Sequence, residues 1–391
     1  MIHTRLFNGR RIALVTNIPR PYRIPLFEAL NQTLLDSGSD LKIFFFSDIK
    51  KHVRRREIEV ANGRYPHQSV YGYELSFGFE RVISIPTPLW SALHQYQPHA
   101  IISGSFGLAG YLSWLYSRRA SIPYIQWSGA TSNRQGQGGD IVGITQGFLA
   151  RRAQSSLAYG TVARDYLIQL GADPQTVIAG VNTIDVAYFR QRAAQLQAEA
   201  NSLKAEHNLT GVNLLYVGNL VSLKGIEYLL QALHQIAPTT NSFHLHLVGG
   251  GPDKASLEAL VQSLQLECSV HFWGAHPPEN VPLFYALADV LVFPSLYDVW
   301  GLVVNEAMAC GLPIISSSLA GVTADLIQPE QNGFVVDPRD VPGFAAALGR
   351  VISDEALRQR MGYASTRLID EKATIPHAVA AFLQALQIAL T

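Results

Sequence analysis

Residues 288–315 read ADVLVFPSLYDVWGLVVNEAMACGLPII. Val290 to Phe293 is a short apolar run bounded by Pro294 and Ser295, the pattern of a fully buried strand. After a polar turn, Gly301 opens a helical segment that runs through Cys310. Gly311 and Pro313 end it, and Pro313 to Ser316 begins another strand. Asp298 lies on the loop, and Glu306 lies about one and a half turns into the helix. The first amides of such a helix, at Gly301, Leu302 and Val303, and its partial positive charge make a seat for an anion such as phosphate. A carboxylate deeper on the same face is placed to accept hydrogen bonds from sugar hydroxyls. Read alone, Asp298 is equally an ordinary loop acid and Glu306 a solvated helix position.

The chain has 391 residues, 48% of them hydrophobic and 15% charged, enough for two domains with large cores. No stretch of ~20 apolar residues reads as a membrane span, and the N-terminus lacks the apolar core of a secretory signal. Cys268 and Cys310 fall in apolar patterns and read as buried thiols in a reducing cytoplasm. Net charge is zero but unevenly spread. Residues 1–200 carry 21 Lys and Arg against 13 Asp and Glu, and residues 201–391 carry 9 against 17. The basic half is suited to something anionic, an anionic membrane or a phosphate-bearing acceptor, although a plain solvated face fits too. Nothing points to nucleic acid. There is no Asp-x-Asp pair and no His/Cys cluster with metal spacing, so no metal is expected.

The acid-x7-acid spacing from Asp298 to Glu306, with Gly301-Leu302-Val303-Val304 inside it and Glu306 to Pro313 running on from its second acid, closely resembles the nucleotide-sugar site of retaining glycosyltransferases of family 4. Those enzymes have the glycosyltransferase-B fold. The usual first acid there is Glu; here it is Asp298, one methylene shorter. The resemblance extends to Gly218-Asn219-Leu220-Val221-Ser222-Leu223-Lys224-Gly225, which follows a strand from Asn213 to Val217. The family loop reads G-R-L-x-x-x-K-G, and Asn219 stands where Arg is usual. Arg and Lys together would neutralise a leaving diphosphate; Asn offers hydrogen bonds without charge. Gly249 and Gly250 end the next strand, from His244 to Val248, and Gly274 ends the one after it, near where relatives hold the nucleotide base. Gly321, Asp325 and Asn332 to Pro338 keep the family register.

The first half matches in layout more than in motif. Arg11 to Asn17 reads as a parallel strand, followed by Pro19-Arg20-Pro21-Tyr22-Arg23 and a helix from Pro25 to Leu34. Ligands of open α/β sheets bind at strand C-termini, so Tyr22 and Arg23 are acceptor candidates, unless Arg23 merely caps local carbonyls. Trp127, Ser128 and Arg134, at and after a strand from Pro123, are candidates on the same argument. Lys50, Lys51, Arg54, Arg55 and Arg56 form a basic run suited to solvent or to a membrane face. The aromatics from Tyr65 to Phe79 suggest a short hairpin. Glycines 104, 107 and 110 lack the G-x-G-x-x-G spacing, which argues against a dehydrogenase. A helix is expected over 144–155, and another, crossing between domains, over 190–210.

The expected architecture is α/β, a glycosyltransferase-B fold of two doubly wound Rossmann-like domains facing across a cleft. Residues 1–195 would bind the acceptor and 196–370 the nucleotide sugar, and a C-terminal helix within 371–391 would cross back to the first domain. The thiols suggest a cytoplasmic enzyme, and the basic half would suit a peripheral place at the inner membrane face. By the resemblance, it would transfer sugar from a nucleoside-diphosphate sugar to a glycan, lipid-linked or small acceptor, with retention and without metal or cofactor. Lys224, Asp298 and Glu306 would carry the chemistry. Two readings compete: a nucleotide-sugar epimerase or hydrolase of the same fold, and a non-catalytic partner marked by Asn219.

Overall fold

The computed structural model describes residues 7–47, 63–77, 81–132, 139–238 and 242–391. The basic run from Lys50 to Arg56, Phe79 and Arg134 lie outside the described residues. The chain divides into two compact units, Met1–Ile184 with Ile375–Thr391, and Asp185–Thr374. The chain thus leaves the first unit about ten residues before the expected 195/196 junction.

The first unit contains strands β1 (Arg11–Thr16), β2 (Asp40–Phe45), β3 (His67–Ser69), β4 (Tyr73–Phe77), β5 (Arg81–Ile85), β6 (Ala100–Ser103), β7 (Tyr124–Ser128), β8 (Ser155–Ala158) and β9 (Val177–Ala179). Seven form a sheet in the order β3-β2-β1-β6-β7-β8-β9, and every ladder in it is parallel. Parallel sheets are covered on both faces, and β1 shows how. Ile12 and Leu14 pack with Phe27, Leu30 and Phe382, while Ala13 and Val15 pack with Leu89, Leu93 and Tyr116. The period of two in the strand thereby serves two helical layers. Helix Ile375–Leu390 closes one face, its Phe382 ring 5.1 Å from Trp127.

The second unit contains β10 (Val212–Val217), β11 (Phe243–Val248), β12 (Val270–Gly274), β13 (Val290–Phe293), β14 (Ile314–Ser317) and β15 (Gly333–Val336). They form a parallel sheet in the order β12-β11-β10-β13-β14-β15. Leu214 and Tyr216 bury against Leu229, Leu230 and Leu233 of helix Ile226–Ile236. In each unit the strand order reverses beside the first strand, between β1 and β6 and between β10 and β13.

Several expectations are corrected. Cys268 is exposed, because helix Lys254–Ser263 has already ended and the chain turns at the surface before β12; Cys310 is half-buried. The expected helix over 190–210 is two, Val186–Gln195 and Gln197–Glu206, broken at Leu196. The helix expected over 144–155 runs from Gly139 to Ala150, leaving Ser155 to start β8. Of the aromatic run, Tyr73 and Phe77 enter the β4–β5 hairpin. Tyr65 instead packs edge-on against Phe27, with ring centroids 5.6 Å apart. Glu355–Leu390 contains a stretch apolar enough to cross a membrane by length and composition, which the sequence reading did not single out. It is two helices here, and the second buries Val379, Phe382 and Leu386 in the first unit's core.

Side by side on β11 and β12 stand His244, His246 and His271. His244 Nδ1 lies 2.9 Å from His271 Nε2, and the His246 and His271 rings stack 5.3 Å apart. His246 is fully buried. Its Nδ1 accepts a 3.1 Å bond from Trp273 Nε1, so its proton sits on Nε2 and points at Asn213 Oδ1, 3.0 Å away. A second proton would face the indole N–H. Burial, then the neighbouring histidines, push His246 down to about 3. The unfolded chain takes up this proton near the ordinary 6.5. Stability is therefore complete above that value and lost as pH falls. Between pH 7 and pH 5, chemical denaturation should show a loss of stability that is smaller by roughly 2 kcal/mol in His246→Asn, the neighbouring His244 and His271 keeping a part of it. An unchanged slope in the variant contradicts this account.

Candidate functional site

All strands of the second unit point their C-termini to one edge of the sheet. Connections leave β10 and β13 toward opposite sides, which opens a crevice at the reversal, the usual ligand position in such sheets. Three loops are laced together along this edge. Gly218 N donates to Val248 O at 2.9 Å, Leu220 N to Gly250 O at 3.0 Å, and Gly249 N to Gly274 O at 2.8 Å. Gly249 has φ +149°, and a Cβ there would lie 1.8 Å from Gly218 O. Only glycine lets the backbones approach this closely.

Lys224 ends a short 3-10 turn after β10, and Leu296 N donates to Leu223 O at 2.9 Å, tying this loop to the one after β13. Across that seam Lys224 Nζ donates to Asp298 Oδ2 at 2.6 Å, with 20% and 21% of the two side chains exposed. The ammonium also lies 5.9 Å from the Phe293 ring centre. Asp298 Oδ1 accepts from Trp300 N at 3.3 Å, and buried Trp300 donates through Nε1 to Asn305 Oδ1 at 2.9 Å. The loop acid is thus fixed from both sides.

Gly301 has φ +109°, and a Cβ would meet the Phe293 ring at 2.6 Å. It caps helix Leu302–Ala309, whose first intrahelical bond is Val304 N to Gly301 O at 3.0 Å, leaving the Leu302 and Val303 amides ahead of it. Glu306 keeps part of its surface open while protein surrounds its carboxyl. Fully buried Tyr285, on helix Val281–Leu287, donates to Glu306 Oε2 at 2.6 Å. Burial raises the Glu306 carboxyl to about 7, with the Tyr285 bond acting in the opposite direction. Burial, then the neighbouring Glu306, raise the Cys310 thiol to about 12, so it stays protonated. Among the described residues no group of three or more His, Cys, Asp or Glu is placed to hold a metal ion.

Lys224, Asp298, Gly218, Gly249, Gly250, Gly274, Gly301, Leu302, Val303 and Glu306 thus all belong to this edge. Asn219 is there too, exposed, its carbonyl accepting from Tyr216 Oη at 2.8 Å. Tyr285 on helix Val281–Leu287, Trp300 on the loop and the role of Phe293 at the end of β13 carry no local signal in the sequence, since each reads there only as an apolar position.

The remaining candidates lie in the first unit. Arg23 is buried, Tyr22 half-buried. Trp127 and Ser128 are buried as well. At 4% and 6% exposure they belong to the core and its turn, Ser128 Oγ accepting from Ala130 N at 3.0 Å.

Residues 197–368 match the family described as glycosyl transferases group 1. An uncharacterized glycosyltransferase of Methanocaldococcus jannaschii is 37% identical over 146 residues, 37% of each chain. The N-acetyl-alpha-D-glucosaminyl L-malate synthase of Bacillus anthracis is 31% identical over 197 residues, 50% of this chain and 49% of that one. The matched part thus spans half or less of these relatives' length. Among solved structures, Anabaena HepE in complex with UDP superposes with TM-score 0.75 at 17% identity, covering 97% of this chain and 99% of the other. The chain has the glycosyltransferase-B fold. The matched residues 197–368 lie within its second unit.

If Tyr285 restrains Glu306 as the geometry indicates, infrared titration of the carboxylate band, wild type minus Glu306→Gln, should find this group near 7. Tyr285→Phe should move it higher, because a hydrogen bond to the ionised form has been removed. A carboxylate titrating in the ordinary Glu range in both proteins contradicts the assignment.

Proposed function

We propose that the protein is a metal-independent, retaining glycosyltransferase that moves a sugar from a nucleoside-diphosphate sugar to an acceptor. The observation that carries this reading is Lys224 at the β10/β13 reversal, beside a helix N-terminus, within a segment that matches group 1 glycosyl transferases. UDP in the HepE complex supports a nucleoside diphosphate as the leaving group.

In this reading Lys224 and the Leu302 and Val303 amides neutralise the diphosphate. Asp298 holds the ammonium in place. Glu306 Oε2 is already engaged by Tyr285, which leaves Oε1 for ribose or sugar hydroxyls. The backbone at Gly218, Gly249, Gly250 and Gly274 lines the nucleotide. The bond from the anomeric carbon to the diphosphate oxygen breaks, the acceptor oxygen bonds to that carbon on the same face, and the acceptor's proton passes to the leaving phosphate. No protein base is then required. The basic first half supports an acceptor or a membrane surface of negative charge, with the protein peripheral at the cytoplasmic side. Asn219, uncharged where Arg is usual, favours a second reading, a non-catalytic relative that still binds nucleotide.

Titration of UDP by calorimetry should give binding to the wild type that Lys224→Ala weakens by at least roughly tenfold, the scale of one charge-assisted hydrogen bond. Asn219→Arg should tighten it. With a donor that turns over, Glu306→Gln should lose roughly tenfold or more in rate while remaining folded. Undiminished UDP binding by Lys224→Ala contradicts the site, and UDP binding without turnover of any donor favours the non-catalytic reading.

A further inference from the structure

Arg23 follows β1 at the reversal of the first unit's sheet, the position equivalent to that of Lys224 in the second. Its guanidinium cannot shed its charge, yet only 8% of the residue is exposed. One terminal nitrogen donates to Thr16 Oγ1 at 3.1 Å and the other to Tyr159 Oη, both neutral oxygens. Burial raises the Tyr159 hydroxyl, so it supplies no counter-charge. Nε is buried with no partner. Among the described residues no carboxylate lies within ion-pair distance of Arg23.

A buried cation without a counter-ion is costly. The Trp127 ring, 4.5 Å from the guanidinium carbon, offsets part of that cost. The rest of the environment keeps the fork rigid: Tyr22 and Tyr159 rings lie at 5.6 and 5.9 Å. Thr16 and Tyr159 each take a donor of the fork, and the Tyr22 side chain hydrogen-bonds it too. Exposed Gly104, at the end of β6, borders the same residues, since a Cβ there would lie 3.2 Å from Trp127 Cε3 and 3.4 Å from Thr16 Oγ1. β6 therefore sends no side chain over the group that holds Arg23.

We propose that Arg23 is the centre of a second anion site, which takes a phosphate or carboxylate of the acceptor. The assignment to the acceptor rests on the glycosyltransferase reading above; the anion site itself does not. A preassembled guanidinium fork on an aromatic floor suits an oxyanion, which can take two of its donors at once.

Inorganic phosphate is the probe, titrated against the full chain and read by thermal shift and calorimetry. The wild type should bind it saturably, and Arg23→Gln should weaken it by at least roughly tenfold. Gly104→Val, whose side chain would crowd Thr16 Oγ1 and the Trp127 ring beside the fork, should do the same, so a second variant tests the site if Arg23→Gln fails to fold. Lys224→Ala should retain the Arg23-dependent response, and so should protein saturated with UDP. Equal phosphate binding by wild type and both first-unit variants overturns the site. A response abolished by UDP or by Lys224→Ala assigns the oxyanion to the donor and overturns the acceptor assignment. If UDP binds no variant and not the wild type, the proposed function fails on its own, and the phosphate comparison still decides whether Arg23 binds anions.

Discussion

The contact between Lys224 and Asp298 joins the two loops that leave the sheet at its reversal, and the rest of the candidate site depends on it. A pair of this kind, mostly withdrawn from water, gains about as much from attraction as it loses in desolvation. Its value is positional. Asp298 is itself fixed by the Trp300 amide, Trp300 by Asn305, and the two loops by the Leu296–Leu223 backbone bond. The ammonium is therefore held at the seam between the two loops rather than ranging through solvent. Phe293 forms the common floor, lying against Lys224 and admitting only glycine at 301.

The same geometry separates two carboxylates that look alike in sequence. Asp298 is paired with a cation. Glu306 is surrounded by protein and held by a phenol, and its carboxyl rises to about 7. Two acids eight positions apart thus have distinct chemistry because one sits on a charged seam and the other behind a helix. In the proposed reaction the first positions a cation and the second receives neutral hydroxyls.

Local signals were sufficient where the chain is locally determined. The apolar run Val290–Phe293, the stops at Gly311 and Pro313, and the glycines at 218, 249 and 301 each carry their own structural reason, so the second unit's edge was legible. Contacts distant in sequence were not. Tyr285 meets Glu306 across 21 positions, and Arg23 meets Tyr159 across 136. The histidine stack was hidden because it depends on the register of β11 against β12, which alternation within one strand does not reveal. Trp127 was legible as the end of a strand, but its contact with Phe382 of the helix from Ile375, more than 200 positions away, was not. Cys268 failed for a simpler reason: an apolar neighbourhood in sequence straddled a turn at the surface.

The account turns on where a diphosphate meets the second unit. A crystal structure of the full chain with UDP tests it most directly. It should place phosphate oxygens within about 3 Å of Lys224 Nζ and of the Leu302 or Val303 amide, with the ribose toward Glu306. UDP bound away from the β10/β13 reversal, with Lys224 still paired only to Asp298, would contradict it.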